Sequence, residues 1–255
     1  MSLSNLVRGL LNKKKLINNS TLPSQGLFYE TDFIIQIKRA TTEDIQEYEA
    51  SFLKENLSVI IYKVKRIVEK NLLLSRGYIF EDLKSIDVVF LFLEIVKFSK
   101  GRPIEIKFTN LEGQLELIEF NSHNFNYFIL DDLLLSSYNK EGRCFELEGY
   151  KFSLPSIGIE NCLTAFLIKK QYQSDYKEYN DIFFDFTYFL SDKKNLTESQ
   201  IENLIQIFNH ELPPVELDKI QKILKIFQPL QRYSLLKGGK VIDINSKIDL
   251  ESIWK

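Results

Sequence analysis

The stretch from Leu22 to Glu47 constrains the fold most, because it reads as a turn, a strand and a helix start with almost no loop between them. Residues 22–26, Leu-Pro-Ser-Gln-Gly, predict a turn, since proline fixes its own φ and glycine can adopt a positive φ. Residues 33–37 have the β-branched and aromatic content of a half-buried strand. Thr41 or Thr42 is placed to cap a helix with an acidic first turn. One strand is therefore predicted to lead directly into a helix.

The composition argues against several classes of protein. The chain has 255 residues and a net charge of -2, whereas a dedicated nucleic-acid-binding domain is usually strongly basic. Two cysteines, Cys144 and Cys162, are too few for a disulfide framework and are expected to be buried as small hydrophobic residues. The apolar run 88–93 is too short to cross a membrane and predicts a buried helix. A globular chain with no membrane span is expected, built as one large domain or two small lobes.

Residues 1–20 are predicted to form an N-terminal arm outside the core. A helix here would have one narrow apolar face and a basic end at residues 13–15, Lys-Lys-Lys. Such a helix could lie on a membrane surface. A short docking arm with a solvated basic end is the favoured interpretation. The apolar face would consist of Leu3, Leu6, Val7, Leu10 and Leu11.

Three helices are predicted in the N-terminal lobe, residues 21–140. They cover residues 42–55, 57–74 and 79–100, and the last is apolar nearly all round, as a central helix should be. Gly101 is a plausible C-cap for it. The second helix has a basic face, which could contact phosphate, although a solvated face is favoured. This basic face consists of Lys63, Lys65, Arg66 and Lys70.

Period-two alternation predicts a hairpin at residues 102–120 and, at residues 143–154, either a second hairpin or a bent strand pair. Residues 102–109 and 114–120 alternate around the turn 110–113, and residues 143–154 alternate around Gly149. The segment 122–140 between them is interpreted as a short helix after a bend.

The C-terminal lobe, residues 141–255, is predicted to be helical and to end in a hairpin. Helices are expected over 157–171 and 179–190, after Thr197 with an apolar side at 201–208, and over the helical period of 217–227, and Pro213-Pro214 should break the chain between the last two. Thr197 and Gln200 have the spacing of a capping box. Gly238-Gly239 lies between alternating segments and predicts the hairpin. The predicted class is α+β: mainly helical, with two helical lobes and inserted β-hairpins.

The opening motif carries a resemblance to a known family. Leu-Pro-Ser-Gln-Gly-x-Phe-Tyr at 22–29, then an apolar strand, then Thr-x-Glu-Asp at 41–44, resembles the start of proteins in the T-even-type bacteriophage baseplate family. The hairpins at 102–120 and 233–244 lie where relatives carry paired cysteines in zinc-ribbon-like elements. Those cysteines are absent here, and a Cys₄ zinc site needs four thiolates, so no structural zinc is expected. Residues 154–156, Leu-Pro-Ser, match a further step of the family pattern between a strand and a helix.

No catalytic, cofactor-binding or metal-binding residues can be assigned from the sequence. His123 and His210 have no Ser, Cys or Asp arrangement around them that suggests nucleophilic catalysis. Residues 237–240, Lys-Gly-Gly-Lys, lack the spacing of a phosphate-binding loop. Asp131-Asp132 could hold a cation, but a solvated loop or helix start is favoured. An enzyme is therefore not expected.

The resemblance implies a non-enzymatic structural or assembly protein of a contractile phage tail. It would be a baseplate hub component, or a chaperone of the hub or of the tape-measure protein. Its partners would be other tail or baseplate proteins and a second copy of itself, with no nucleic acid and no membrane. It would act in the host cytoplasm during assembly, or remain in the baseplate of the virion. The alternative is a nucleic-acid-associated module that uses the basic face.

Overall fold

The computed structural model describes residues 13–52, 57–109, 114–121, 123, 125, 132–171, 196–227, 233–237 and 240–244. The helices are α1 Thr42–Phe52, α2 Leu57–Asn71, α3 Asp87–Lys100, α4 Asp132–Ser137, α5 Ile157–Gln171, α6 Glu198–Gln206 and α7 Pro214–Phe227. The strands are β1 Lys14–Ile17, β2 Ile35–Lys38, β3 Leu72–Leu74, β4 Glu105–Thr109, β5 Leu115–Glu119, β6 Tyr138–Asn139, β7 Cys144–Leu147, β8 Tyr150–Phe152, β9 Tyr233–Lys237 and β10 Lys240–Ile244. These strands form small antiparallel sheets, so the fold belongs to the α+β class, as predicted.

The first sheet has the strand order β1-β2-β3, with β2 in the middle. The strand predicted at residues 33–37 is confirmed, with its bounds moved to Ile35–Lys38. Ile35 and Ile37 are fully buried on its inner face, and Gln36 between them is half-buried. This alternation is what the period of two predicts for a sheet with one face on the core.

The second half of the predicted N-terminal arm belongs to this sheet. Residues 14–17 pair with β2 in antiparallel register, with Lys14 opposite Lys38 and Ile17 opposite Ile35. Ile17 is buried in the main core. The prediction that residues 1–20 lie outside the core is therefore wrong for β1. As a strand, these residues form hydrogen bonds with β2, which a helix at the same place could not form. Residues 1–12 lie outside the described part of the chain.

Two predicted helices have different bounds in the structure. The helix predicted over 57–74 ends at Asn71, and Leu72–Leu74 pair with β2 instead. The helix predicted over 79–100 begins only at Asp87, after a 3₁₀ turn at Phe80–Asp82. In both places apolar residues fit either structure locally, and contacts with distant parts of the chain decide between them. Gly101 closes α3 as predicted, with φ 64° and its N–H bonded to the Lys97 carbonyl.

Helix α3 is the central helix, as its all-round apolar sequence predicts. Its side chains from Phe90 to Val96 are all buried, and Glu94 is buried among them. They pack against the inner face of the first sheet, α1 and α2 in one core cluster. The capping box at the start of α1 is formed by Thr41 and Asp44, whose side chains each accept the other's backbone N–H.

The hairpin predicted at 102–120 is confirmed as β4 and β5, with Ile106 opposite Ile118. Both of these isoleucines are buried, so this side of the hairpin faces the core. The N–H of Phe120 bonds to the carbonyl of Ile104 at 2.8 Å and extends the pairing beyond the strands. The tip, residues 110–113, lies outside the described residues.

The hairpin predicted at 143–154 is confirmed as β7 and β8, which turn at Glu148 and Gly149. Both turn residues have positive φ, 52° and 83°, as a two-residue hairpin turn of this hand requires. Strand β6 adds a third strand to this sheet, in the segment whose sequence predicts only a short helix after a bend. That helix is present as α4. The boundary predicted between residues 140 and 141 runs through this sheet, between β6 and β7.

The C-terminal helices follow the predicted pattern where the structure describes them. Helix α5 has the predicted bounds, and Thr197 and Gln200 form the capping box of α6. Pro214 opens α7, where a first-turn proline loses no helical hydrogen bond. Strands β9 and β10 pair with Lys237 opposite Lys240, so the predicted last hairpin is confirmed. Its tip at Gly238-Gly239 and the helix predicted at 179–190 lie outside the described residues.

Candidate functional site

The carboxylate of Asp87 is the centre of a buried polar cluster at the start of α3. It accepts hydrogen bonds from the backbone N–H of Ser24 at 2.8 Å, the hydroxyl of Ser24 at 2.7 Å and the hydroxyl of Tyr29 at 2.6 Å. Ser24 and Asp87 are fully buried. The first turn of a helix also favours a negative charge, because its backbone N–H groups point towards it. The turn at residues 22–26 is thus fixed to the central helix through the side chain of Asp87.

Lys84 extends this cluster to the residues that directly follow β8. Its backbone N–H bonds to the Tyr29 hydroxyl at 2.8 Å, and its ammonium bonds to the carbonyl of Leu154 at 2.8 Å and the hydroxyl of Ser153 at 3.1 Å. The ammonium also lies over the ring of Phe28, 5.4 Å from its centroid, in cation–π geometry. We call Ser24, Tyr29, Lys84, Asp87 and Ser153 the buried junction.

The two Leu-Pro-Ser tripeptides of the sequence both contact residues 84–87 at this junction. Ser24 of the first holds Asp87, as described above. In the second, the Pro155 carbonyl accepts the N–H of Ser85 at 3.0 Å, and Ser156 forms a β-bridge with Lys84. The Ser156 hydroxyl then caps α5 by accepting the N–H of Ile159 at 3.3 Å. The repeated tripeptide therefore marks two chain segments that are fixed to the same short connection.

Burial dominates the electrostatics of the junction. It raises the pKa of Asp87 to about 6, although hydrogen bonds from Tyr29 and Ser24 and the charge of Lys84 act in the opposite direction. Burial, followed by the negative charge of Asp87, raises the pKa of the Tyr29 hydroxyl well above its ordinary value. Tyr29 is therefore a permanent hydrogen-bond donor at neutral pH. Asp87 carries a charge that the core tolerates only because three donors satisfy it.

The junction is a structural feature in this conformation. A general acid or base must come within hydrogen-bonding reach of a substrate atom, and all five side chains of the junction are buried. The sequence alone does not indicate this cluster, because Ser24 and Asp87 are 63 positions apart. The available signals were the repeated tripeptide and a single carboxylate directly before an apolar run.

The basic face of α2 is largely occupied by carboxylates. Lys63 pairs with Glu47 at 3.3 Å, Lys65 with Glu160 at 3.4 Å, and Lys70 with Asp44 at 2.6 Å. Burial alone would raise the pKa of Asp44, but the bonds from Lys70, Thr41 and Asn71 outweigh burial and lower it. Arg66, the fourth cation, is exposed and forms no ion pair within the described residues. The face therefore presents little net positive charge to a phosphate.

The other candidate residues from the sequence lie apart from one another. Cys144 is buried, as predicted, whereas Cys162 is half-buried, and both are free thiols. Asp132 opens α4 and is exposed, and Asp131 lies outside the described residues. His123 and His210 are exposed. Within the described residues, no three His, Cys, Asp or Glu side chains group closely enough to hold a metal ion.

The outward side of the first sheet carries two strongly exposed apolar side chains. Leu16, Gln36 and Leu73 lie side by side across the three strands. Leu16 is 64% exposed, and Ile34, two residues before Gln36 on the same side, is 48% exposed. We call Leu16, Ile34, Gln36 and Leu73 the outer sheet face. Exposed apolar groups that share one face often mark a site of protein–protein contact.

Two further pairs of exposed apolar side chains lie on α2 and β5. Ile61 and Tyr62 are exposed on α2, and Leu115 and Leu117 are exposed on β5. Leu115 and Leu117 point away from the core, since Ile118, the next residue along β5, is buried on the opposite side. These pairs and the outer sheet face are what a partner could contact without a change in the fold.

No family model, curated protein or solved structure matches this chain. None of the helices in the described ranges is long and apolar enough to cross a membrane.

Proposed function

We propose that this chain is a non-enzymatic structural or assembly protein of a contractile phage tail. It acts as a baseplate hub component, or as a chaperone that binds the hub or the tape-measure protein. On this proposal it functions in the host cytoplasm during assembly, or remains in the virion baseplate. Its hairpins are zinc-ribbon-like elements without cysteines, inserted into two helical lobes, and it needs no cofactor or metal.

The observation that carries the proposal is the outer sheet face. Leu16 and Ile34 present branched apolar side chains to solvent on a sheet whose strand β1 is at the edge. An edge strand beside an apolar face suits a partner that adds a strand or lays a helix across it. Binding of this kind requires no turnover, in keeping with a tail-assembly role.

The residues of the family-like opening motif support the same proposal. Leu22, Ser24 and Tyr29 are buried, and Ser24 and Tyr29 hold Asp87. The motif at 22–29 therefore specifies contacts inside the fold, as a motif with an architectural role would. The alternative, a nucleic-acid-associated module, is less favoured because three of the four cations of the basic face already have carboxylate partners.

Co-expression with candidate partners tests the proposal. The tagged chain would be produced together with the hub and tape-measure proteins encoded in the same genome, and complexes would be isolated by affinity and size-exclusion chromatography. We expect a complex with one of these proteins, and we expect Leu16→Asp with Ile34→Asp to abolish it. Val215→Asp is the matched control, because Val215 is 65% exposed on α7, away from the sheet. A double variant that still forms the complex would exclude the outer sheet face as the binding site.

A further inference from the structure

The hairpin β4–β5 has an unusual arrangement of charge on its solvent side. Glu105 lies directly opposite Glu119 across the two strands, and Lys107 lies opposite Leu117. Two carboxylates facing each other across a strand pair repel and destabilise it. Glu105 and Lys107 form no ion pair with any other residue within the described part of the chain, and Glu105 is exposed. The hairpin therefore carries an acidic pair and, on the same side, a cation that forms an ion pair with neither carboxylate.

The outer edge of β4 offers unused backbone groups at these same two residues. The Phe120 N–H bonds to the Ile104 carbonyl, so Ile104 and, by alternation, Ile106 direct their backbone groups towards β5. Glu105 and Lys107 must then direct theirs away from β5. Within the described residues, the sheet that contains β4 has only two strands, and no other strand pairs with this edge.

We propose that two copies of this chain associate through β4, in antiparallel register about a two-fold axis at Ile106. In this register Glu105 of each copy lies opposite Lys107 of the other, and both residues direct their backbone groups at the partner strand. The two hairpins become one four-stranded sheet with the order β5-β4-β4-β5. A two-fold axis makes each contact occur twice, as in a closed dimer.

Charge selects this register from the alternatives. Centring the axis one residue earlier would place Glu105 opposite Glu105, and centring it one residue later would place Lys107 opposite Lys107. In the proposed register, Glu119, Glu105 and Lys107 of the second copy lie side by side across three neighbouring strands. The ammonium of Lys107 therefore reduces the repulsion between the two carboxylates. Self-pairing through β5 has no such complement, since its charged residues, Glu116 and Glu119, are both acidic.

Single charge reversals test the proposal, because they should be complementary only to each other. The full-length protein is expected to be a dimer by sedimentation velocity, with weaker association at high salt. Glu105→Lys alone and Lys107→Glu alone should each be monomeric, because each places like charges opposite each other. An equimolar mixture of the two variants should form a heterodimer. In it, position 105 of each copy faces position 107 of the other copy, and the two side chains have charges of opposite sign. Lys140→Glu, at an exposed turn, is the control and should remain a dimer.

Each contrary result has a definite meaning. A wild-type protein that is monomeric at all accessible concentrations would overturn the proposal. Single variants that stay dimeric would place the interface elsewhere, and a mixture that does not form heterodimers would exclude this register. Circular dichroism spectra of both single variants should match that of the wild type, because both changes lie on the solvent side of the hairpin and leave its core side unchanged. These outcomes do not depend on whether the chain binds a phage tail protein through the outer sheet face.

Discussion

The hydroxyl of Tyr29 donates a hydrogen bond to the carboxylate of Asp87 at 2.6 Å, inside the core and 58 positions away in the chain. The same hydroxyl accepts the backbone N–H of Lys84 at 2.8 Å. One phenol therefore connects the opening turn, the connection before α3 and the first turn of α3. Because a buried polar group without a partner is costly, each of these contacts depends on the others being made.

Removing the Tyr29 hydroxyl should destabilise the fold while leaving its packing intact. Tyr29→Phe leaves the Lys84 N–H without its acceptor and takes one donor from Asp87, so we expect a loss of about 1–3 kcal/mol in the free energy of unfolding. Urea denaturation followed by circular dichroism measures this loss. In a double-mutant cycle with Asp87→Ala, the two losses should not add, because each change breaks the same hydrogen bond. Additive losses would contradict the coupling that the geometry implies.

The stability of the protein should depend on pH through Asp87. The pKa of its carboxyl is about 6 in the folded protein and 3.8 ordinarily, so the folded state binds the proton more tightly than the unfolded chain. The contribution of Asp87 to stability is therefore greatest below pH 4 and falls as the pH rises to about 6, by about 3 kcal/mol in all. Denaturation of the wild type and Asp87→Asn between pH 4 and 7 measures it as the difference between the two curves.

Asp44 provides the control of opposite sign. Its pKa is lowered because the bonds from Lys70, Thr41 and Asn71 outweigh burial, so its stabilising contribution is present above its ordinary pKa and is lost as the pH falls. The difference between the wild type and Asp44→Asn should shrink towards acid pH, whereas the Asp87 difference should change in the other direction. If both differences moved in the same direction with pH, the assignment of the Asp87 shift to burial would be wrong.

Strand β1 should be required for stability. The ammonium of Lys15 pairs with the carboxylate of Glu94, whose side chain is 2% exposed on the central helix. Lys15→Ala leaves this carboxylate without its cation and should cost about 1–3 kcal/mol. Lys14→Ala, on the opposite side of the strand, should cost little. Adding Glu94→Gln to Lys15→Ala should recover part of the lost stability. No recovery would show that the loss does not come from an unpaired Glu94 carboxylate.

Truncation tests the same strand without reference to a single pair. Deleting residues 1–19 removes Ile17 and Lys15 along with all of β1, so we expect a clear fall in melting temperature. The sequence alone predicts the opposite, namely that this deletion leaves the fold intact. Deleting residues 1–12 keeps β1 and is the matched control, which should lower the melting temperature less. Equal melting temperatures for the 1–19 deletion and the wild type would show that β1 is dispensable.

The turn between β7 and β8 should respond in opposite directions to changes at its two residues. Gly149 has a φ of 83° and open space where a Cβ would lie, so Gly149→Ala is disfavoured by its backbone alone, by about 1 kcal/mol. Glu148 has a φ of 52° and is not glycine, so Glu148→Gly should relieve strain and raise stability by a few tenths of a kcal/mol up to about 1 kcal/mol. Thermal melts distinguish the two variants. A destabilised Glu148→Gly protein would contradict this account of the turn.

Local signals predict the elements whose cause is local. The capping box of Thr197 and Gln200, the C-cap at Gly101 and the alternating strands of the hairpins are read from a few neighbouring residues, and the structure contains them. The central position of α3 follows from its all-round apolar sequence, because such a helix has no side left for solvent.

Elements decided by distant contacts are harder to predict. Residues 72–74 are three leucines, which suit a helix or a strand equally, and only the presence of β2 beside them makes them β3. Lys14 and Lys15 resemble a solvated basic run until β1 is paired and Lys15 points at Glu94. The buried junction joins residues far apart in sequence, and nothing in their local context indicates which carboxylate meets which hydroxyl.

The most direct test of the proposed function is the mass of the complex that the full chain forms when co-expressed with the hub and tape-measure proteins of its own genome. Size-exclusion chromatography with light scattering gives this mass, and the Val215→Asp control shows whether exposed apolar residues elsewhere matter. A role in tail assembly predicts a stable complex with one of these proteins, lost when Leu16 and Ile34 are both changed to Asp. Elution of the chain by itself in the presence of every tail protein tested would contradict that role.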